Sequence, residues 1–436
     1  MIMKKILIAI VYFQICFMVG SCQKLPPLPP VTPPPPFPKT YPTHLEILWN
    51  TPFHSDSTED FFWDYTVANN QYLVLANIYD KIYGKPRGIG VYNMQTGERH
   101  SAWQNDPGGI FGVSEREDLM DCKIVGKNKD IILIYNQFGL FAYSLHNGQR
   151  LWNLNLSYTG IPHISAEGDN AFICYGPGGG AFSKSWHRLA MVDVYSGKKR
   201  DIVQLEIEDN FEFSINPPSA YVNSAGDTLL FFTTDCGNFE TIQGRGNAYC
   251  YNLTKKEMIW INKQSTDIER NASASHSPPF VIENDKLIIT GRSMIYCLNL
   301  HTGELVWEKE DVWATGCNPL YHEGKLYIRS GNPCTLLCLD AQTGQTVWAN
   351  PSINPIPVFH GAMAIYKDKL YFSAKGANAT SHLACIDIQT GKELWRDRGP
   401  YGNIAFGVLI DQRTGYLYCY TGWSMLCVDL NKTPRK

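Results

Sequence analysis

The sequence predicts an all-β fold, an eight-bladed β-propeller of four-stranded antiparallel blades closed by an N-terminal strand. Three observations predict it. A turn-and-tryptophan unit recurs along the chain, its recurrence distance suits four strands, and the last unit lacks a strand that the start of the mature chain can supply.

The unit is clearest in Met294-Ile-Tyr-Cys-Leu-Asn-Leu-His-Thr-Gly-Glu-Leu-Val-Trp307, Leu336-Leu-Cys-Leu-Asp-Ala-Gln-Thr-Gly-Gln-Thr-Val-Trp348 and Leu383-Ala-Cys-Ile-Asp-Ile-Gln-Thr-Gly-Lys-Glu-Leu-Trp395. Val91–Trp103 and Tyr143–Trp152 repeat it. Degenerate copies lie at Met191–Gly197 and Tyr249–Trp260, and a last copy, Met425–Asn431, ends before any Trp. Each unit has the same logic. An apolar strand ends at Asp or Asn, whose side chain bonds the turn backbone, Gly takes a positive φ, and a second strand carries Trp back. The turn glycines stand at 97, 148, 197, 303, 344 and 391, with single steps of 41 to 51 residues. Two further strand-like runs precede each turn, such as Phe280-Val-Ile282 and Lys286-Leu-Ile-Ile-Thr290. His44-Leu-Glu-Ile-Leu-Trp49 carries a Trp where the other fourth strands do, so it is expected to complete the last unit and close the ring.

The N-terminus has its own grammar. Lys4 and Lys5 precede an apolar run of 14 residues from Ile6 to Val19, then Gly20-Ser21-Cys22. Such a run is too short to span a bilayer, which needs about 20 apolar residues, and it reads as a secretory signal over residues 1–21. Val19-Gly20-Ser21-Cys22 resembles the bacterial lipobox, which implies that Cys22 is lipidated and begins the mature chain. Residues 22–43 then form a tether, with ten of the 26 prolines between 25 and 42. Proline lacks a backbone donor and extends as polyproline II at roughly 3.1 Å per residue. The propeller is expected over 44–436. In lipoproteins of this kind Asp after the Cys favours inner-membrane retention. Gln23 stands there, so the resemblance implies an outer-membrane lipoprotein facing the periplasm.

The pattern Asp-x-x-Thr-Gly-x-x-x-Trp resembles the PQQ-like, quinoprotein-type propeller repeat over residues 45–431. With a lipobox and eight units, the chain is similar to the BamB-type lipoproteins of the outer-membrane β-barrel assembly machine. That resemblance implies a membrane-anchored scaffold that binds a protein partner in the cell envelope. Quinoprotein dehydrogenases share the repeat and bind PQQ over calcium, often beside adjacent cysteines. No two of the 13 cysteines are adjacent here, and no calcium ligand can be assigned by motif. The expectation is therefore a non-enzyme with no cofactor. A glycan-binding lipoprotein is the alternative, and a PQQ-dependent dehydrogenase the third reading.

Strand order sorts the loops. First-to-second and third-to-fourth connections share one face and are short; second-to-third and fourth-to-first connections share the other and are long. Insertions gathered on one face mark the binding side of a repeat protein. The candidate partner-binding residues are Phe111, Glu115, Glu117, Phe182, Trp186, Glu208, Phe211 and Phe239. Acidic residues among aromatics suit a protein or a glycan, and the net charge of −3, which becomes −5 without Lys4 and Lys5, argues against nucleic acid.

The remaining features read as framework. Cys250, Cys297, Cys338, Cys385 and Cys427 occupy one equivalent third-strand position and are expected as small buried side chains, too far apart to bridge. Cys317 and Cys334 fall together on the long-loop face and form the candidate disulfide. His163, His276 and His360 near first strands are expected to line the channel, not to bind metal. Gly176-Pro-Gly-Gly-Gly180 has no following Gly-Lys-Ser/Thr and reads as a hairpin tip.

Overall fold

A computed structural model describes residues 43–436 except 53–60, 69, 79–88, 104–120, 137–138, 157–163, 177–184, 207–211, 239–242, 264–266, 269–277, 292–293, 311, 313–318, 332–333, 354–362, 376–380, 401–403, 422–423 and 434–436. The signal segment, Cys22 and the tether up to Pro42 lie outside the described residues, so the structure bears on none of them.

The repeat forms antiparallel sheets, numbered below as sheets one to eight in chain order. Sheet five shows the plan: Phe280–Ile282, Lys286–Thr290, Ile295–Asn299 and Leu305–Lys309 pair in sequence order. Sheets two, three, six and seven follow it. In sheet eight, Ile404–Asp411, Tyr416–Thr421 and Ser424–Asp429 are completed by Ile47–Pro52, which pairs antiparallel with Ser424–Asp429. Closure therefore comes from the N-terminal side, a few residues later than the sequence suggests. Asp397 reinforces it, accepting from Thr43 Oγ1 at 2.9 Å and from the His44 backbone N–H at 2.7 Å.

The expected count of eight four-stranded blades is wrong: among the described residues seven sheets reach four or more strands. Sheet one stops at three, Phe61–Ala68, Tyr72–Ile78 and Ile89–Asn93. The cause is spacing. Trp152, Trp307, Trp348 and Trp395 each follow the turn glycine by four residues, whereas Trp103 follows Gly97 by six. After the isolated bridge Tyr92–Arg99, the extra residues coil into a single 3-10 turn, Ser101–Trp103, where a fourth strand would run. Sheet four departs in the other direction and gathers seven strands, including one parallel pair.

Adjacent sheets share apolar clusters built from alternate residues of their inner strands. Ile288 and Cys297 of sheet five, for example, pack with Leu326, Ile328 and Leu339 of sheet six. Burying each such side chain fully contributes roughly 1.5–3 kcal/mol. The tryptophans latch one sheet to the next. Trp49, Trp103, Trp152, Trp260, Trp307 and Trp348 donate their indole N–H to the carbonyls of Met94, Leu145, Val194, Leu300, Ala341 and Ile388, at 2.8 to 3.1 Å. For Trp49, Trp152, Trp260, Trp307 and Trp348 the ring then lies on the glycine of the receiving turn. A Cβ on Gly344 would sit 2.6 Å from the Trp307 ring, at a backbone φ of +71°, so both space and conformation demand glycine there.

The boundary between sheets three and four lacks this latch. Asp201 stands four residues after Gly197, where Trp is usual, and Lys256 (φ 61°) replaces the receiving glycine in the next sheet. Tyr175 donates to Asp201 at 2.5 Å, and Lys199 bonds both Asp201 (2.6 Å) and the Tyr175 oxygen (2.5 Å) while its ammonium lies 4.0 Å from the Tyr175 ring centroid. Burial opposes charge on Asp201 and Lys199, but these bonds outweigh it, lowering the carboxyl pKa and raising that of the ammonium.

Candidate partner-binding face

The two faces of the propeller are built differently. On the short-turn face the third-to-fourth turns of sheets one, three, five, six and seven begin with Asp or Asn accepting from two following backbone N–H groups. Asn299 Oδ1 accepts from His301 and Thr302, and Asp340 Oδ1 from Gln342 and Thr343. Where Thr follows, its hydroxyl adds a third bond, Thr343 to Asp340 at 2.9 Å and Thr390 to Asp387 at 2.7 Å. These hydroxyl and backbone donors hold the Asp340 and Asp387 carboxyls below the usual carboxylate range. Side chains then brace neighbouring turns. Lys286 Nζ donates to the Gln342 carbonyl at 2.9 Å, Lys325 Nζ to Gln389 Oε1 at 2.9 Å, and Tyr366 Oη to Asn431 Oδ1 at 2.9 Å. This face is committed to holding the ring together.

The opposite face carries a built platform at sheet four. Its hairpin, Thr228–Asn238 and Gln243–Asn252, is 11 and 10 residues long, against 5 to 7 for the corresponding strands of sheets five to eight. The ladder continues through Asp235–Gly246, Cys236–Arg245, Gly237–Gly244 and Asn238–Gln243. Glu212–Ile215 adds to one edge, and Ser185–Trp186, arriving from sheet three, pairs parallel with it through Ser185–Phe213 and Trp186–Ser214. Asp267–Ile268 covers the other edge against Arg245 and Gly244. Segments 212–215, 235–246 and 267–268 of the long-loop face thus contribute strand to one sheet. Weak β formers in Cys236-Gly-Asn238 and Gly244-Arg-Gly246 hid it, since Gly and Asn are depleted in strands.

Of the candidate contact residues, one belongs to a described strand of this platform. Trp186 lies in its added parallel strand, though its side chain is outside the described residues, as are Phe111, Glu115, Glu117, Phe182, Glu208, Phe211 and Phe239. Positions 211 and 239 directly adjoin platform strands in the chain. Cys317 lies outside the described residues and Cys334 opens the strand Cys334–Asp340, so the structure does not test their pairing. His163, His276 and His360 also lie outside.

The five equivalent cysteines are buried free thiols. Burial pushes Cys250, Cys385 and Cys427 up to about 12, and Cys297 and Cys338 up to about 11. Thiols held in that range are poor nucleophiles and poor metal ligands at neutral pH. Among the described residues no three His, Cys, Asp or Glu side chains gather as a metal-ligand set.

Residues 244–406 match the PQQ-like repeat model described as outer membrane protein assembly factor BamB. No curated protein matches the sequence. Among solved structures, BamB from Moraxella catarrhalis is similar at 12% identity, covering 88% of this chain and 97% of that one with a TM-score of 0.51. The Dos1 propeller is similar at 9% identity, 89% and 96% coverage and a TM-score of 0.63. A europium-containing methanol dehydrogenase is similar at 12% identity, 86% and 84% coverage and a TM-score of 0.60. Identities this low show the fold alone, and it is shared by an assembly factor and an enzyme. By its fold this chain is a β-propeller, and over residues 244–406 its repeat is similar to the PQQ-like type.

Proposed function

We propose that this chain is a membrane-anchored propeller scaffold of the bacterial cell envelope that binds a protein partner through its long-loop face, in the manner of an outer-membrane assembly factor. One observation carries the reading: the sheet-four platform, where strands from 185–186, 212–215 and 267–268 extend a single hairpin. The short-turn face spends its polar groups on internal bonds, whereas the platform face holds the insertions that vary from unit to unit. An ordered sheet extension flanked by acidic and aromatic residues presents a broad protein-sized surface. The lipobox at Cys22 and the proline tether support placement at a membrane, and the family match over 244–406 supports the assembly role.

Affinity purification of the full-length protein from detergent-solubilised envelopes tests this. The reading requires a β-barrel assembly subunit to co-purify. Loss of that subunit with binding on a glycan array would favour the lectin reading. Calcium-dependent dye reduction after reconstitution with PQQ would favour the dehydrogenase.

A further inference from the structure

Arg329 is 1% exposed in the second strand of sheet six, Lys325–Gly331, and its Nε and Nη1 have no hydrogen-bond partner. This is out of keeping with the molecule. The other buried charged groups are paired: Asp227 with Lys255 and Asn252, Asp397 with Thr43, His44 and Gly399, and Asp429 with Lys432. It is also out of keeping with the repeat. The third-strand cysteines index equivalent positions, because Cys250, Cys297, Cys338, Cys385 and Cys427 pair with Phe231, Ile288, Tyr327, Tyr371 and Tyr418. Two residues on from these stand Thr233, Thr290, Arg329, Ser373 and Tyr420. Four lack a charged side chain; one is arginine, with five N–H donors and no acceptor.

Its surroundings define what it can bind. Side chains alternate along a strand, so Arg329 shares a face with Tyr327 and with its cross-strand partner Leu336. Both belong to the apolar cluster between sheets six and seven, with Ile353, Met363 and Phe372. A guanidinium there is an uncompensated buried charge, among the costliest states a side chain can occupy. A monoanion neutralises it; a phosphate dianion would leave a second charge buried. We infer that Arg329 is the anchor of a ligand site for a monocarboxylate with an apolar body, at the sheet six–seven junction.

The test uses thermal melts and calorimetric titration of the full-length protein with hexanoate, against hexanol and inorganic phosphate at matched ionic strength. Wild type is expected to bind hexanoate saturably, with its melting midpoint rising, and to bind hexanol or phosphate at least tenfold more weakly. Arg329→Met should melt at or above the wild type without ligand and lose hexanoate affinity at least tenfold. Arg329→Lys should keep part of the affinity. No hexanoate binding by wild type, equal binding by Arg329→Met, or failure of Arg329→Met to fold while Arg329→Lys folds normally would each overturn the assignment, the last by showing that the cation is satisfied within the fold.

Discussion

Trp307 donates its indole N–H to the carbonyl oxygen of Ala341 at 3.1 Å while its ring lies on Gly344, so one side chain joins sheet five to the turn of sheet six. Trp307→Ala removes a ring that is 8% exposed together with its hydrogen bond. It is expected to destabilise the fold by about 3–5 kcal/mol, the usual range for a large buried aromatic. Gly344→Ala should cost less, about 1–3 kcal/mol, from a strained positive φ and a clash with the same ring. Urea unfolding checks both. A double variant costing much less than the sum of the two would show that they share one contact.

The sheet three–four boundary, with Asp201 in place of Trp, is expected to be the least protected seam of the ring. Native-state hydrogen exchange should find the amides of Lys199–Gln204 exchanging faster than those of Leu305–Lys309. Equal protection would mean that the apolar cluster shared by sheets three and four, with Phe172, Leu189, Leu230 and Phe232, holds the seam without a latch.

Asp340 and Asp387 have lowered pKa values in the folded state, owing first to the hydroxyls of Thr343 and Thr390. A depressed carboxyl contributes stability that is present above its unfolded pKa of about 3.9 and is lost as pH falls through the folded value. Acid titration of the urea midpoint should therefore fall below about pH 4. Asp387→Ala should flatten that fall and cost about 1 kcal/mol at pH 7, since the carboxylate is largely solvent-screened.

The core thiols act in the opposite direction. Their folded pKa values of about 11 to 12 lie above an unfolded value of about 8.5. Their contribution is complete below the unfolded pKa and is lost as pH rises through the folded one. Stability should decline from about pH 9 upward, and less steeply in Cys385→Val. At pH 8 the folded protein should leave these five thiols unlabelled by a thiol reagent that labels the unfolded chain. Rapid labelling of Cys385 without unfolding would contradict its burial.

What was legible in the sequence was whatever repeats. Asn299, Gly303 and Trp307 announce a turn, a positive φ and a latch because the same three residue types recur at fixed offsets. The six-residue step from Gly97 to Trp103 was equally visible, and it marks the sheet that stops at three strands. The platform was not legible. Gly237, Gly244 and Gly246 carry no strand signal, and their ladder depends on strands brought from 185–186 and 267–268. Arg329 was hidden for the same reason: one Arg in a strand reads as solvent-facing until the neighbouring sheet is placed over it. The proposed binding face lies in the non-repeating part, where periodicity is silent.

The central claim is that binding belongs to the long-loop face and ring integrity to the short-turn face. The most direct measurement is capture of the β-barrel assembly subunit by the full-length protein carrying Trp186→Ala with Phe211→Ala, compared with Lys325→Glu on the short-turn face. The account predicts at least a tenfold loss of capture for the first pair at an unchanged melting temperature, and wild-type capture for Lys325→Glu. Undiminished capture by the Trp186/Phe211 pair, or loss confined to Lys325→Glu, would contradict it.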